Sequence, residues 1–331
     1  SMELPALRVL TIREVARERI LIVGGSGKAR LKKPSRVSYG TGTEQWGEWW
    51  IPEEPGSGCP VALLVHGGFW RRPWSAKLMR RLARQVKDSG FIAFNVEYRR
   101  LGRFKKSPYW PAPLQDVLTV LERLPELWPN NFGFQPDWQR VVLIGHSAGG
   151  QLCLLAAKRW GGTRLPELTF SSTKKKASRE ERPTNHLAQE VQLSGVLAVA
   201  PLVDLRELAT RPRQARRIRA VFRKIHAQEA LAHASPLWLL PIGVPQFLIA
   251  GGKDRLVPVD KLQEYLARAR DSGDSVTLMV EVHKGHIGLL RPTGAVISAL
   301  DALVTAQGAP LAKERGHGKI TEENDRSSPS S

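Results

Sequence analysis

Read for hydropathy alone, the chain alternates between short, mostly apolar runs and longer stretches with helical periodicity. The runs are Val61 to Val65, Phe91 to Tyr98, Val141 to Gly145, Val196 to Ala200, Phe247 to Ala250 and Val276 to Val282. A run that is apolar at nearly every position, rather than at every second one, predicts a strand covered on both faces. Between the runs, residues 76–89, 114–127, 149–160, 259–269 and 287–306 bring apolar side chains to one face at helical spacing. Strand and helix in alternation predict an α/β fold with a mostly parallel central sheet flanked by helices. The residues before Val61 predict two antiparallel edge strands, whose register is hidden by glycine and proline.

Three segments stand outside this rhythm. Residues 161–190 are polar, with Lys174 to Lys176 in a row, and are expected to be a mobile basic insertion. Residues 204–240 have helical periodicity and carry Arg211, Arg213, Arg216, Arg217, Arg219, Arg223 and Lys224, and they predict a small helical cap or lid. Residues 308–331 are charged and serine-rich, which predicts a disordered tail.

Composition narrows the class. A chain of 331 residues with 42% hydrophobic content is long enough to bury one large core without division. No apolar run approaches the roughly 18 residues of a membrane span, and no leader pattern is visible, so a cytoplasmic protein is expected. The two cysteines, Cys59 and Cys153, exclude a disulfide framework. The net charge of +19 has no zinc-finger spacing, aromatic RNA-binding motif or basic zipper beside it, so nucleic acid is not the expected partner.

The chemistry is concentrated at the ends of the predicted strands. Gly145-His146-Ser147-Ala148-Gly149 joins a strand-like run to a helix-like one, the setting in which a sharp turn lifts a serine hydroxyl above a sheet edge. A serine hydroxyl needs a base, and the base needs an orienting group. Asp254, just past the run ending Ala250-Gly251-Gly252, is the expected acid, and His286, in the loop after the last strand, is the expected base. Asp204 and His283 are the competing acid and base. The strand ending in Val65 leads into His66-Gly67-Gly68-Phe69-Trp70, where the amides of Gly68 and Phe69, with that of Ala148, are expected to form an oxyanion hole. His66 is expected to brace that loop, as Glu97 and Asp116 brace others. Trp70, Arg71, Trp110 and Trp238 are candidate substrate contacts, though core packing explains the tryptophans equally well.

Together, Gly145 to Gly149, the His66 to Trp70 loop, the stretch Asn95-Val-Glu-Tyr-Arg-Arg100 and the order Ser147, Asp254, His286 resemble an α/β-hydrolase of the esterase/lipase type. The chain resembles the kynurenine formamidase-like and bacterial acyl-esterase branches. The resemblance implies residues 61–307 as a catalytic domain after an N-terminal extension with edge strands over 1–60. It further implies a serine hydrolase of small or medium carboxylic esters that works without cofactor or metal. An arylformamidase-like amide hydrolase is the alternative, and a non-catalytic ligand receptor on the same fold is the alternative of another class.

The basic residues Arg71, Arg72, Arg99, Arg100, Arg103, Lys105, Lys106, Lys253, Arg255, Lys284 and Arg291 all follow predicted strand ends, the face where open α/β sheets bind ligands. Two readings stay open: a funnel for an anionic ester or amide substrate, and a solvated rim partly paired with carboxylates.

Overall fold

The computed structural model of the chain describes residues 34–56, 58–100, 110–129, 133–161, 191–222, 228–291 and 293–305. The expected basic insertion beyond Gly161, the tail, and Arg103, Lys105, Lys106, Arg223 and Lys224 lie outside the described residues.

One eight-stranded sheet organises these residues. Its strands are β1 (Ser35–Ser38), β2 (Trp46–Trp50), β3 (Pro60–Val65), β4 (Ile92–Glu97), β5 (Asp137–His146), β6 (Leu193–Val199), β7 (Gln246–Gly251) and β8 (Val276–Glu281). The spatial order is β1-β2-β4-β3-β5-β6-β7-β8, antiparallel where β2 meets β1 and β4, and parallel from β4 to β8. All residues of β3 and β4 are buried, as are the six from Val141 to His146 in β5. That two-sided burial is the physical content of the mostly apolar runs, and in β4 it also encloses the polar Asn95 and Glu97.

The covering helices are α1 (Arg80–Asp88), α2 (Ala112–Arg123), α3 (Ala148–Trp160), α7 (Val259–Asp271) and α8 (Gly294–Thr305). A 3-10 turn over Ala76–Met79 precedes α1. Short helices α4 (Leu205–Leu208), α5 (Pro212–Val221) and α6 (Gln228–His233) connect β6 to β7. The expectation of one helix over 287–306 needs correction, because the structure has a 3-10 turn at Gly288–Leu290 and starts α8 only at Gly294. The sequence reason is Pro292. A residue before proline is driven to extended backbone, and Arg291 has φ −77° and ψ 138°.

The sheet reverses its winding at β3, which has β4 on one side and β5 on the other. Crevices of open α/β sheets lie beyond the carboxyl ends of the strands at such a point. Here the loop after β3 meets the turn after β5. A Cβ built on Gly67 would stand 2.8 Å from the carbonyl oxygen of His146 and 3.0 Å from Ser147 Cβ. A Cβ on Gly149 would stand 2.1 Å from the carbonyl oxygen of Val65, so the close approach of loop and elbow requires glycine at both positions.

Candidate active site

Ser147 is the residue between β5 and α3, and it adopts φ 56° and ψ −118°. For a side chain other than glycine that left-handed backbone costs about 1–3 kcal/mol and persists only where the surroundings impose it. They do so here through the backbone. Ser147 N donates to Val199 O at 2.8 Å, while Ser147 O accepts from Gln151 N at 3.1 Å and Leu202 N at 3.2 Å. The turn leaves the side chain facing the loops that follow β7 and β8.

Those loops bring in the other two groups. Ser147 Oγ donates to His286 Nε2 at 2.9 Å, and His286 Nδ1 donates to Asp254 Oδ2 at 2.7 Å. The second carboxylate oxygen, Oδ1, accepts the amides of Leu256 at 2.8 Å and Val257 at 3.0 Å, which fixes the carboxylate plane. Burial pushes the Asp254 carboxyl upward, but the hydrogen bond from His286 and the two amides outweigh it and hold the group below its ordinary value. A serine bonded to an imidazole whose other nitrogen is held by an ionised carboxylate is the arrangement in which the hydroxyl can pass its proton to the ring as it attacks a carbonyl.

The competing residues stand elsewhere. Asp204 caps α4, its Oδ1 accepting from Arg206 N at 2.9 Å and Glu207 N at 3.2 Å, and from Trp238 Nε1 at 3.3 Å. His283 is exposed at the rim of the β8 loop.

The loop after β3 runs beside the elbow with three successive positive φ values, 110° at Gly68, 51° at Phe69 and 55° at Trp70. His66 supports it as expected. Its Nδ1 donates to Gly67 O at 2.8 Å, its Nε2 meets Glu97 Oε1 at 2.9 Å, and its ring stacks on Tyr98 with centroids 4.2 Å apart. Glu97 Oε2 also accepts the amide of Ala76 at 3.1 Å, so one buried carboxylate ties together both ends of the loop. The amide of Ala148 opens α3, where a helix has no preceding carbonyl to bond it.

Of the aromatic candidates, Trp70 and Trp110 are buried and pack on Phe222 of the β6–β7 segment, with centroids 6.1 and 5.2 Å from it. Both rings therefore serve as packing rather than as open pocket wall. Trp70 Nε1 also donates to Gln151 Oε1 at 3.1 Å, and Gln151 Nε2 donates to Ala234 O at 2.7 Å. Gln151 thus joins the loop, the elbow helix and the β6–β7 segment, a role with no signature beyond its place after the two glycines. Trp238 is 44% exposed, with the guanidinium carbons of Arg206 and Arg268 4.6 and 5.5 Å from its ring centroid.

Three of the eight described rim cations, Arg72, Arg99 and Arg100, are paired with carboxylates. Arg72 and Arg100 both reach Glu44 at 2.7 Å, and Arg99 reaches Asp116 at 2.8 Å. Asp116 and Glu44 also accept the backbone amides of Arg99 and Arg100. These three arginines therefore fasten the β4 end to its surroundings, which favours the rim reading for them. Arg71 is half-buried, its amide donating to Gly68 O at 3.1 Å.

His146 is the site residue that the sequence reading passed over. It is 1% exposed, its Nε2 donates to the backbone carbonyl of His286 at 3.0 Å, and its Nδ1 has no partner among the described residues. The bond pins the backbone of the histidine that faces Ser147. Burial, then the nearby His286, lower its pKa from the usual 6.5 to about 3. Between those values the unfolded chain binds a proton that the folded chain does not, so this residue makes stability fall as pH falls from about 6.5 towards 3. Between pH 6 and 4.5 the expected loss is about 2 kcal/mol from this one group. Urea midpoints of the wild type and His146→Gln, which keeps a donor for His286 O, measure it. The variant should lose less stability over that range, and parallel curves would refute the assignment.

A family model, BD-FAE, matches residues 48–268, from β2 into α7 and including Ser147 and Asp254. Esterase LipC of Mycobacterium tuberculosis is 25% identical over 305 residues, covering 88% of this chain and 66% of the relative. Esterase LipQ of the same organism is 24% identical over 273 residues, covering 80% of this chain and 59% of the relative. The chain therefore spans about two thirds or less of these relatives' length. Among solved structures, a truncated carbohydrate esterase from gut microbiota superposes with a TM-score of 0.65 at 18% identity, over 85% of this chain and 99% of that one. Esterase B of Lactobacillus rhamnosis, solved with a tributyrin phosphonate inhibitor, gives 0.64 at 19% identity, over 85% and 89%. These likenesses agree with the sheet order in giving an α/β-hydrolase fold, and with two thirds of its length under one family model, the chain belongs to the BD-FAE family.

Proposed function

We propose that the protein is a carboxylic ester hydrolase in which Ser147 is the nucleophile, His286 the general base and acid, and Asp254 the group that orients His286. The observation that carries this reading is the unbroken hydrogen-bond chain from Ser147 through His286 to Asp254 at the carboxyl edge of the sheet. Ser147 Oγ attacks the ester carbonyl as its proton passes to His286 Nε2, giving a tetrahedral oxyanion and an imidazolium held by Asp254. The amides of Ala148 and of Gly68 or Phe69 receive the oxyanion. The proton then moves from His286 to the departing alcohol as the carbon–oxygen bond breaks, leaving an acyl-enzyme. Water repeats the steps in reverse, its proton taken by His286, and releases the acid with serine restored. Every group in this sequence is supplied by the chain itself. The esterase names of the relatives point the same way, and the segment from Asp204 to Leu240 is the cap of this proposal, anchored to the elbow helix through Gln151 and Ala234.

The test combines a fluorophosphonate probe with a series of p-nitrophenyl esters of rising acyl length and N-formylkynurenine. Stoichiometric labelling of Ser147 and turnover of the shorter esters are expected. Failure to label, with no ester turned over, would leave a binding scaffold. Turnover of N-formylkynurenine well above every ester would move the assignment to the amide branch.

A further inference from the structure

We infer that Arg217 of the cap is a specificity-determining residue that selects ester substrates carrying a carboxylate; this rests on the ester hydrolase reading of the site. Its guanidinium carbon lies 5.0 Å from the ring centroid of Phe69, the residue of the loop whose amide is a candidate oxyanion donor. Phe69 is 7% exposed, so the cation stands over a ring that is otherwise buried in the loop.

The placement follows from how α5 docks. Ala215, Ile218 and Val221 form its buried stripe, and Phe222 at its end packs with Trp70 and Trp110. Arg217 precedes Val221 by one turn, so it shares the side of the helix that faces the loop, while its own side chain stays exposed. The sequence of α5, PRQARRIRAV, contains no acid. Among the described residues no carboxylate pairs with Arg217, in contrast to Arg72, Arg99, Arg100 and Arg211, each of which is held by Glu44, Asp116 or Glu207.

The electrostatic consequence differs from that of the rim. A paired arginine has most of its field cancelled by its carboxylate, whereas a cation fixed on an aromatic face keeps its in-plane N–H donors free. Those donors form a planar fork that matches a carboxylate in two parallel hydrogen bonds. The cation–π contact places the guanidinium beside the loop before substrate arrives, which lowers the side-chain freedom lost on binding. The selecting charge is therefore the cap's Arg217, and not the cluster at the end of β4 that the sequence singles out.

The experiment measures kcat/KM of the full-length protein for 4-nitrophenyl valerate and mono-4-nitrophenyl glutarate, esters that share a leaving group and differ by a carboxylate at the acyl end. In the wild type the ratio of anionic to neutral ester should exceed that of Arg217→Gln by about tenfold, the size of one charge-assisted hydrogen-bonded contact. Arg217→Lys, which keeps the charge and loses the fork, should fall between them. The wild-type ratio should also drop as ionic strength rises past about 0.1 M, where exposed charges are screened within about 10 Å. An equal ratio in the wild type and Arg217→Gln overturns the inference while leaving the hydrolase reading intact. A wild type that turns over neither ester and does not label at Ser147 overturns the hydrolase reading and this inference with it.

Discussion

Ser147→Ala should remove ester hydrolysis, with kcat falling on the order of a million-fold, while the fold persists. In the proposed mechanism the hydroxyl forms the acyl-enzyme, and among the described residues its one side-chain bond is to His286 Nε2. Alanine is no worse suited than serine to the left-handed backbone at this position, since each carries a Cβ, and the backbone bonds from Ser147 to Val199, Gln151 and Leu202 do not involve the side chain. Thermal melting should therefore stay within a few degrees of the wild type. Purified Ser147→Ala with activity near the parent would end the proposal, because the remaining groups could then act only on a water molecule.

The second large effect is expected for Asp254→Asn, a loss of roughly ten-thousand-fold in kcat, as in a serine protease triad altered in the same way. The local geometry gives the reason. One carboxylate oxygen accepts from His286 Nδ1 and the other from the amides of Leu256 and Val257, so every neighbour of this group is a donor. An asparagine has one oxygen and one NH2. If its NH2 faces the ring, Nδ1 must give up its proton and Nε2 gains one, and Nε2 can no longer accept from serine. If its oxygen faces the ring, the NH2 group opposes two amide donors and the loop must shift. Asp204→Asn supplies the contrast, because asparagine caps a helix nearly as well as aspartate and Asp204 holds α4 rather than His286. Its activity should remain within a few-fold of the wild type. Equal losses in the two variants would falsify the assignment of the acid.

Ser147, Asp254 and His286 were legible in the sequence because each lies just past an apolar run. A buried strand must be apolar, its end must turn, and the chemistry stands where the chain leaves the sheet. Nothing comparable marks His146 or Gln151. His146 sits inside the serine motif as an unremarked position, and its bond to the His286 carbonyl spans 140 residues. Gln151 is one polar residue on a helix, and only packing reveals that it joins Trp70 to Ala234. The arginines show the same limit from the other side. Arg72, Arg99 and Arg100 read as a cationic mouth because Glu44 and Asp116, which hold them, are distant in the sequence.

What the sequence by itself determined is everything governed by local rules: the strand and helix alternation, the glycines that permit the elbow and loop to touch, and the chain order of the three side chains proposed to carry the reaction. The helix break before Gly294 is equally local, written in Pro292, although the expectation of one helix over 287–306 overlooked it. Only the tertiary structure decided which charges are cancelled, which aromatic rings are core, and which residue of the β6–β7 segment reaches the loop after β3. The physical reason is that secondary structure follows from the preferences of neighbouring residues, whereas the partner of a charge or the cover of a ring is chosen by whichever distant segment the sheet brings beside it.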